Sequence, residues 1–131
     1  MHTILTKSLV LLWCLLLTAC ISTDNLQLSG DKGSNYVVTG KSYEQIWQAA
    51  MVAMRTDMEI VEQHRPSGVI KSKVVNGTRG KVVGFFIQPA HESAPRYTIN
   101  IVSRWPLQAP NESDGEPSVW EDFREALKSQ R

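Results

Sequence analysis

Cysteine is almost missing from this chain. Its 131 residues contain two, Cys14 and Cys20, both near the start. No disulfide can therefore staple the residues after Cys20, and the folded part must be held by packing. Histidine is nearly as scarce: of His2, His64 and His91, no two stand at metal-ligand spacing. The net charge is +1, which excludes the strong overall basicity of a chain built for nucleic acid. No apolar run is long enough to cross a bilayer. The longest, Leu9 to Leu17, has nine residues and would span roughly 14 Å of a hydrocarbon core of about 30 Å. There is no G-x-S-x-G nucleophile elbow and no internal repeat. Gly77-Thr78-Arg79-Gly80-Lys81 lacks the spacing of a phosphate loop and reads as a turn. The sequence predicts neither an enzyme, nor a cofactor, nor a metal.

What is present is concentrated first at the N-terminus. Lys7 and Ser8 precede the apolar run, which has no polar residue at every third or fourth position as a surface helix would. A basic start, an apolar stretch and a small-residue cleavage site make an export signal. The run closes on Leu17-Thr18-Ala19-Cys20. This tetrapeptide resembles the bacterial lipobox, L-[AST]-[AG]-C. The resemblance implies that Cys20 takes a diacylglycerol on its thiol, that the chain is cut before it, and that the new amine is acylated. It also implies a cell-envelope protein facing the periplasm. The residue after the cysteine is Ile21 rather than Asp, which by the same resemblance favours the outer membrane over the inner.

The chain divides accordingly. Residues 1–19 are the expected signal peptide. Residues 20–35 are the lipidated Cys and a tether rich in Ser, Asp, Asn and Gly, read as flexible. Residues 36–131 are a single α+β domain. Cleavage removes Lys7 and leaves 13 of the 14 basic residues against 13 acidic ones.

Charge is unevenly spread along the remainder. Between Gln63 and Arg104 stand Arg65, Lys71, Lys73, Arg79, Lys81, Arg96 and Arg104 against a single acid, Glu92, and both flanks are acidic. Such a block can attract anions. The simpler reading is that Lys71, Lys73 and Lys81 are outward-facing strand residues complemented by acidic helices.

The domain pattern is legible in pieces. Tyr36-Val37-Val38-Thr39 is a short β-rich run. Ser42-Tyr43-Glu44-Gln45 fits a capping box, and Tyr43, Ile46, Trp47, Ala50, Met51 and Met54 recur at helical spacing to about Asp57. Strands are expected at Met58–Gln63, Val69–Val75, Lys81–Gln88 and Tyr97–Trp105, with turns at Arg65-Pro66-Ser67-Gly68 and 76–80. In the second of these strands Ile70, Ser72 and Val74 face one way and Lys71 and Lys73 the other. Glu59 and Glu62 fall on opposite faces of theirs. Pro106 to Pro117 is a polar loop, and Ser118-Val119-Trp120-Glu121 is a second capping-box pattern, opening a helix that ends near Lys128. The predicted order is β-α-β-β-β-β-α, a curved antiparallel sheet with two helices on one face. Trp105 is expected to pack against Trp120 beneath the last helix.

That order is similar to the helix-grip-like modules of small envelope lipoproteins, such as the C-type lipoprotein of the outer-membrane β-barrel assembly machinery. The resemblance spans residues 36 to 130. It implies a non-catalytic interaction module in envelope assembly or integrity, bound to the membrane through Cys20 and to an envelope protein partner, with no nucleic acid. Candidate surface residues are Lys71, Lys73, Arg79, Lys81 and Trp105. The alternative is a carrier holding a small apolar ligand between helix and sheet, walled by Trp47, Phe85, Phe86 and Ile101.

Overall fold

A computed structural model of the chain describes residues 33–75, 81–104 and 116–130. The expected lipobox, most of the tether, the turn at 76–80, Arg79 and Trp105 lie outside the described residues. In chain order the elements are β1 (Ser34–Thr39), α1 (Tyr43–Ala53), β2 (Met58–His64), a 3-10 turn (Arg65–Ser67), β3 (Val69–Val74), β4 (Val82–Gln88), β5 (Arg96–Arg104) and α2 (Glu116–Ser129). The expected α+β class and element order are observed.

The five strands form one open antiparallel sheet in the order β1-β5-β4-β3-β2. From β2 to β5 each strand pairs with the next in sequence. β1 instead pairs with β5, so the connection through α1 carries the chain from one edge of the sheet to the other. The Ser42 hydroxyl starts α1 by accepting the Gln45 amide at 3.1 Å, while the Gln45 side chain accepts the Ser42 amide at 3.0 Å. Both bonds of the expected capping box are thus made. The helix stops at Ala53, four residues short of the expectation. Thr56 turns its hydroxyl back onto the Val52 carbonyl, and Asp57 takes a left-handed φ of 56° that ends helical hydrogen bonding.

One core lies between the sheet and both helices. It joins Ile46, Trp47 and Ala50 of α1 and the capping Met54 to Ile70, Val83, Phe85, Ile87, Tyr97, Ile99 and Ile101 of the strands and to Val119, Phe123 and Leu127 of α2. Phe85 and Phe123 meet at 5.2 Å between ring centroids, a separation typical of a favourable tilted pair. Ser72 is a polar side chain fully buried beside this core, and its hydroxyl donates to the Met54 carbonyl at 2.7 Å. A helix-end carbonyl is satisfied in this way, and α1 is fixed to β3.

A second boundary differs from expectation. α2 begins at Glu116, so Ser118 is its third residue and not its cap. Pro117 sits in the first turn, where a missing N–H costs the helix nothing. Trp120 stacks on Tyr36, the rings 3.9 Å apart at 7°, and the expected contact with Trp105 lies outside the described residues. Between β2 and β3 the turn closes through Gly68, whose φ of 69° is left-handed. A side chain there would strike the Ile87 carbonyl, and Gly68 accepts the Ile87 amide at 2.8 Å.

Candidate functional site

Strand periodicity divides the sheet into a helix-covered face and a second face. Directly paired residues share a face, so the second face can be traced across the register. One row runs Glu59, Lys73, Val82, Arg104. The next runs Glu62, Lys71, Gly84, Val102, and the next His64, Val69, Phe86, Asn100, Asn35. Val82, Phe86 and Val102 form an apolar cluster of their own with Val69 beside it, at 2%, 6% and 5% exposure. On the β1 side Asn100 donates its amide to the Asn35 side-chain oxygen at 2.9 Å. On the β2 side the face turns charged.

That charged strip depends on a bulge. The pairing of β2 with β3 shifts between Ile60 and Glu62. One extra residue, Val61, is inserted, and the alternation of faces slips by one. Glu59 and Glu62 therefore lie on the same face, opposite Lys73 and Lys71, which corrects the expectation that they point apart. Lys71 reaches Glu62 at 3.3 Å, with side chains 10% and 44% exposed. Its partner is thus a neighbouring strand and not an acidic helix, and it is buried rather than outward in water. Lys73 and Glu59 are exposed, as is Val61 on the sheet edge.

The candidate basic surface does not form one patch. Lys71 and Lys73 stand on the second face. Lys81 precedes Val82 and so belongs to the helix side, where its carbonyl accepts the Val74 amide at 2.9 Å. There it lines a cleft of about 250 Å³ with Thr56, Asp57, Met58, Val74, Val83, Ser118, Val119 and Asp122. The sequence gives no sign of the two carboxylates in that lining. Asp57 lies beyond the helix end and Asp122 on a distant helix, and no local pattern joins them. Arg79 and Trp105 fall outside the described residues.

The expected carrier walls also separate. Trp47, Phe85 and Ile101 are 6%, 0% and 0% exposed within the main core, whereas Phe86 points to the other face.

The far corner of the sheet is tied by polar contacts. Tyr43 donates its hydroxyl to the Arg65 carbonyl at 2.6 Å, and the Arg65 guanidinium pairs with Glu44 and lies 3.5 Å from Glu92. Tyr97 donates to the His91 carbonyl at 2.8 Å. These bonds bind the start of α1, the β2–β3 turn and the loop before β5 together. Burial raises the Tyr43 pKa above 10.0, against the opposing pull of Arg65. A hydrogen bond from Gln48, aided by Arg65, lowers that of Glu44. His64 Nδ1 lies 2.6 Å from the Ser67 hydroxyl. The two are exposed and three residues apart across the 3-10 turn, which makes this a local turn bond and not a nucleophile–base pair set in a cleft. Among the described residues no group of three or more His, Cys, Asp or Glu is placed to hold a metal ion. No family model, curated protein or solved structure matches the chain.

Proposed function

We propose that the chain is a membrane-anchored periplasmic lipoprotein, held by acyl chains on Cys20, whose domain is a non-catalytic interaction module in envelope assembly or integrity. Leu17-Thr18-Ala19-Cys20 is the observation that carries the anchoring. A diacylglyceryl group plus an amide-linked chain supplies the two or more hydrocarbon anchors that stable attachment needs. Ile21 after the cysteine supports the outer membrane as the destination.

The interaction role is supported by the strip along β2 and β3. The bulged edge presents Val61 at 42% exposure beside exposed Glu59 and Lys73. An edge strand of this kind offers backbone groups for pairing while its charges limit indiscriminate association. Trp47, Phe85 and Ile101 are closely buried together in the core, which favours this reading over an apolar-ligand carrier. The test is affinity capture of the acylated protein from solubilised envelopes, run with wild type and with Lys73→Glu. A reproducible envelope protein retained by wild type and weakened by Lys73→Glu is the expected result. Recovery of no reproducible partner counts against the reading.

A further inference from the structure

The cleft of about 250 Å³ opens at the end of the sheet where α1 has finished and α2 begins. It falls just short of the roughly 300–1,000 Å³ typical of pockets for drug-sized ligands, so its occupant must be small. Met58, Val74, Val83 and Val119 give it an apolar wall. Charge decides what that occupant is. Among the described residues the lining carries two carboxylates, Asp57 and Asp122, against one ammonium, Lys81, which leaves one negative charge in excess. The C-terminal end of α1 and the N-terminal end of α2 lie close by with opposite half charges that roughly cancel, so the side chains set the sign. The Thr56 hydroxyl already donates its proton to the Val52 carbonyl at 3.1 Å. Toward an occupant of the cleft it can therefore only accept.

We propose that this cleft binds a small alkylammonium, its charged head held by Asp57, Asp122 and the Thr56 oxygen and its short chain laid against the apolar wall. The competing occupants fit less well. An anion would meet the excess negative charge. A wholly apolar guest would strip water from charged groups and give them nothing in return. A metal ion needs more oxygen ligands than two carboxylates, and among the described residues no group of three or more His, Cys, Asp or Glu is placed to supply them. An alkylammonium matches both halves of the lining. Its head offers three N–H donors where the lining accepts, and its methylenes cover Val83 and Val119, which are 2% and 5% exposed. Lys81, 8% exposed, keeps its own stem in the same wall and limits the guest to a single positive charge. The cleft lies on the helix side of the sheet, away from the β2–β3 strip, so this ligand function stands or falls apart from the interaction role.

Methionine-methyl NMR on the full chain, recovered from membranes in detergent, tests this. Met58 lines the cleft, whereas Met51 and Met54 are 8% and 0% exposed in the main core. Met58 thus reports binding, and the other two report the fold. Titration with butylammonium chloride at neutral pH is expected to move the Met58 methyl signal saturably and to leave Met51 and Met54 in place. Butyrate, of the same length and opposite charge, is expected to move none of them. Asp57→Asn retains a residue type that tolerates the left-handed φ of 56°. This variant and Asp122→Asn are each expected to weaken binding about fivefold, the effect of removing one charge roughly 4 Å away in water. Should either variant disturb Met51 and Met54, the wild-type titration repeated in strong salt decides the matter: weaker binding supports the site, and affinity that ignores salt overturns it. Nα-acetyl-lysine methylamide carries the same head on a peptide unit. Tighter binding than butylammonium assigns the ligand to a lysine side chain, weaker binding assigns it to a free amine, and either order supports the site. No saturable shift at Met58, an equal response to butyrate, or an affinity unchanged in both Asp variants overturns the proposal.

Discussion

The Tyr36 ring lies parallel to the Trp120 indole, 3.9 Å away. One ring belongs to the edge strand β1 and the other to the last helix, and Trp120 also meets Phe123 at 5.4 Å. The stack thus ties the edge strand to α2 and, through Phe123, to Phe85 at the centre of the sheet.

Because the two rings touch, their truncations will not be additive. A double-mutant cycle over Tyr36→Ala and Trp120→Ala, read from denaturant unfolding, is expected to give a coupling of about 0.5–1.5 kcal/mol. A coupling near zero would mean that β1 and α2 are held independently.

Lys71 and Glu62 lead to an asymmetric expectation. Lys71 is nearly enclosed and Glu62 is not. Removing Glu62 leaves a buried ammonium without that partner, and Glu62→Gln should cost about 1–2 kcal/mol. Lys71→Met removes the buried charge and leaves an exposed carboxylate that water can solvate, so it should change stability by less than about 1 kcal/mol. Equal losses in the two variants, measured by urea unfolding, would contradict the assigned burial.

The corner around Arg65 predicts opposite pH effects from two neighbouring residues. Tyr43 has its pKa raised in the fold, mainly by burial. Its contribution is complete below the unfolded value near 10.0 and is lost as pH rises through the folded value. Glu44 has its pKa lowered, first by Gln48 and then by Arg65. Its contribution is present above the unfolded value near 4.5 and is lost as pH falls through the folded one. Unfolding midpoints measured against pH should therefore fall less steeply above pH 10 in Tyr43→Phe, and less steeply below pH 4.5 in Glu44→Gln. Unchanged alkaline and acid limbs would remove both assignments.

These expectations rest on features of unequal legibility. The Ser42–Gln45 capping box can be read directly, because its partners are three residues apart and its chemistry is local. Alternation in β3 is equally plain, with Ile70 and Ser72 inward and Lys71 on the reverse. The bulge at Val61 is not, since an inserted residue leaves no mark in composition and only the pairing with β3 reveals it. Simple alternation therefore misplaces Glu59 and Glu62. Charge alone groups Lys81 with Lys71 and Lys73, although its position one residue before Val82 puts it on the helix side. The partner of Trp120 is set by the long-range closure of β1 on β5. No local signal in the sequence points to the stack of Tyr36 on Trp120.

Lipidation of Cys20 is the premise on which the proposed function stands, and the mass of the chain recovered from membranes decides it. A chain beginning at Cys20 and carrying a diacylglyceryl thioether with an acylated amine is the expected species. Cys20→Ala is expected to accumulate as the uncut precursor. A mature chain bearing an unmodified Cys20, or a membrane-recovered wild-type chain that retains residues 1–19, would contradict the proposal.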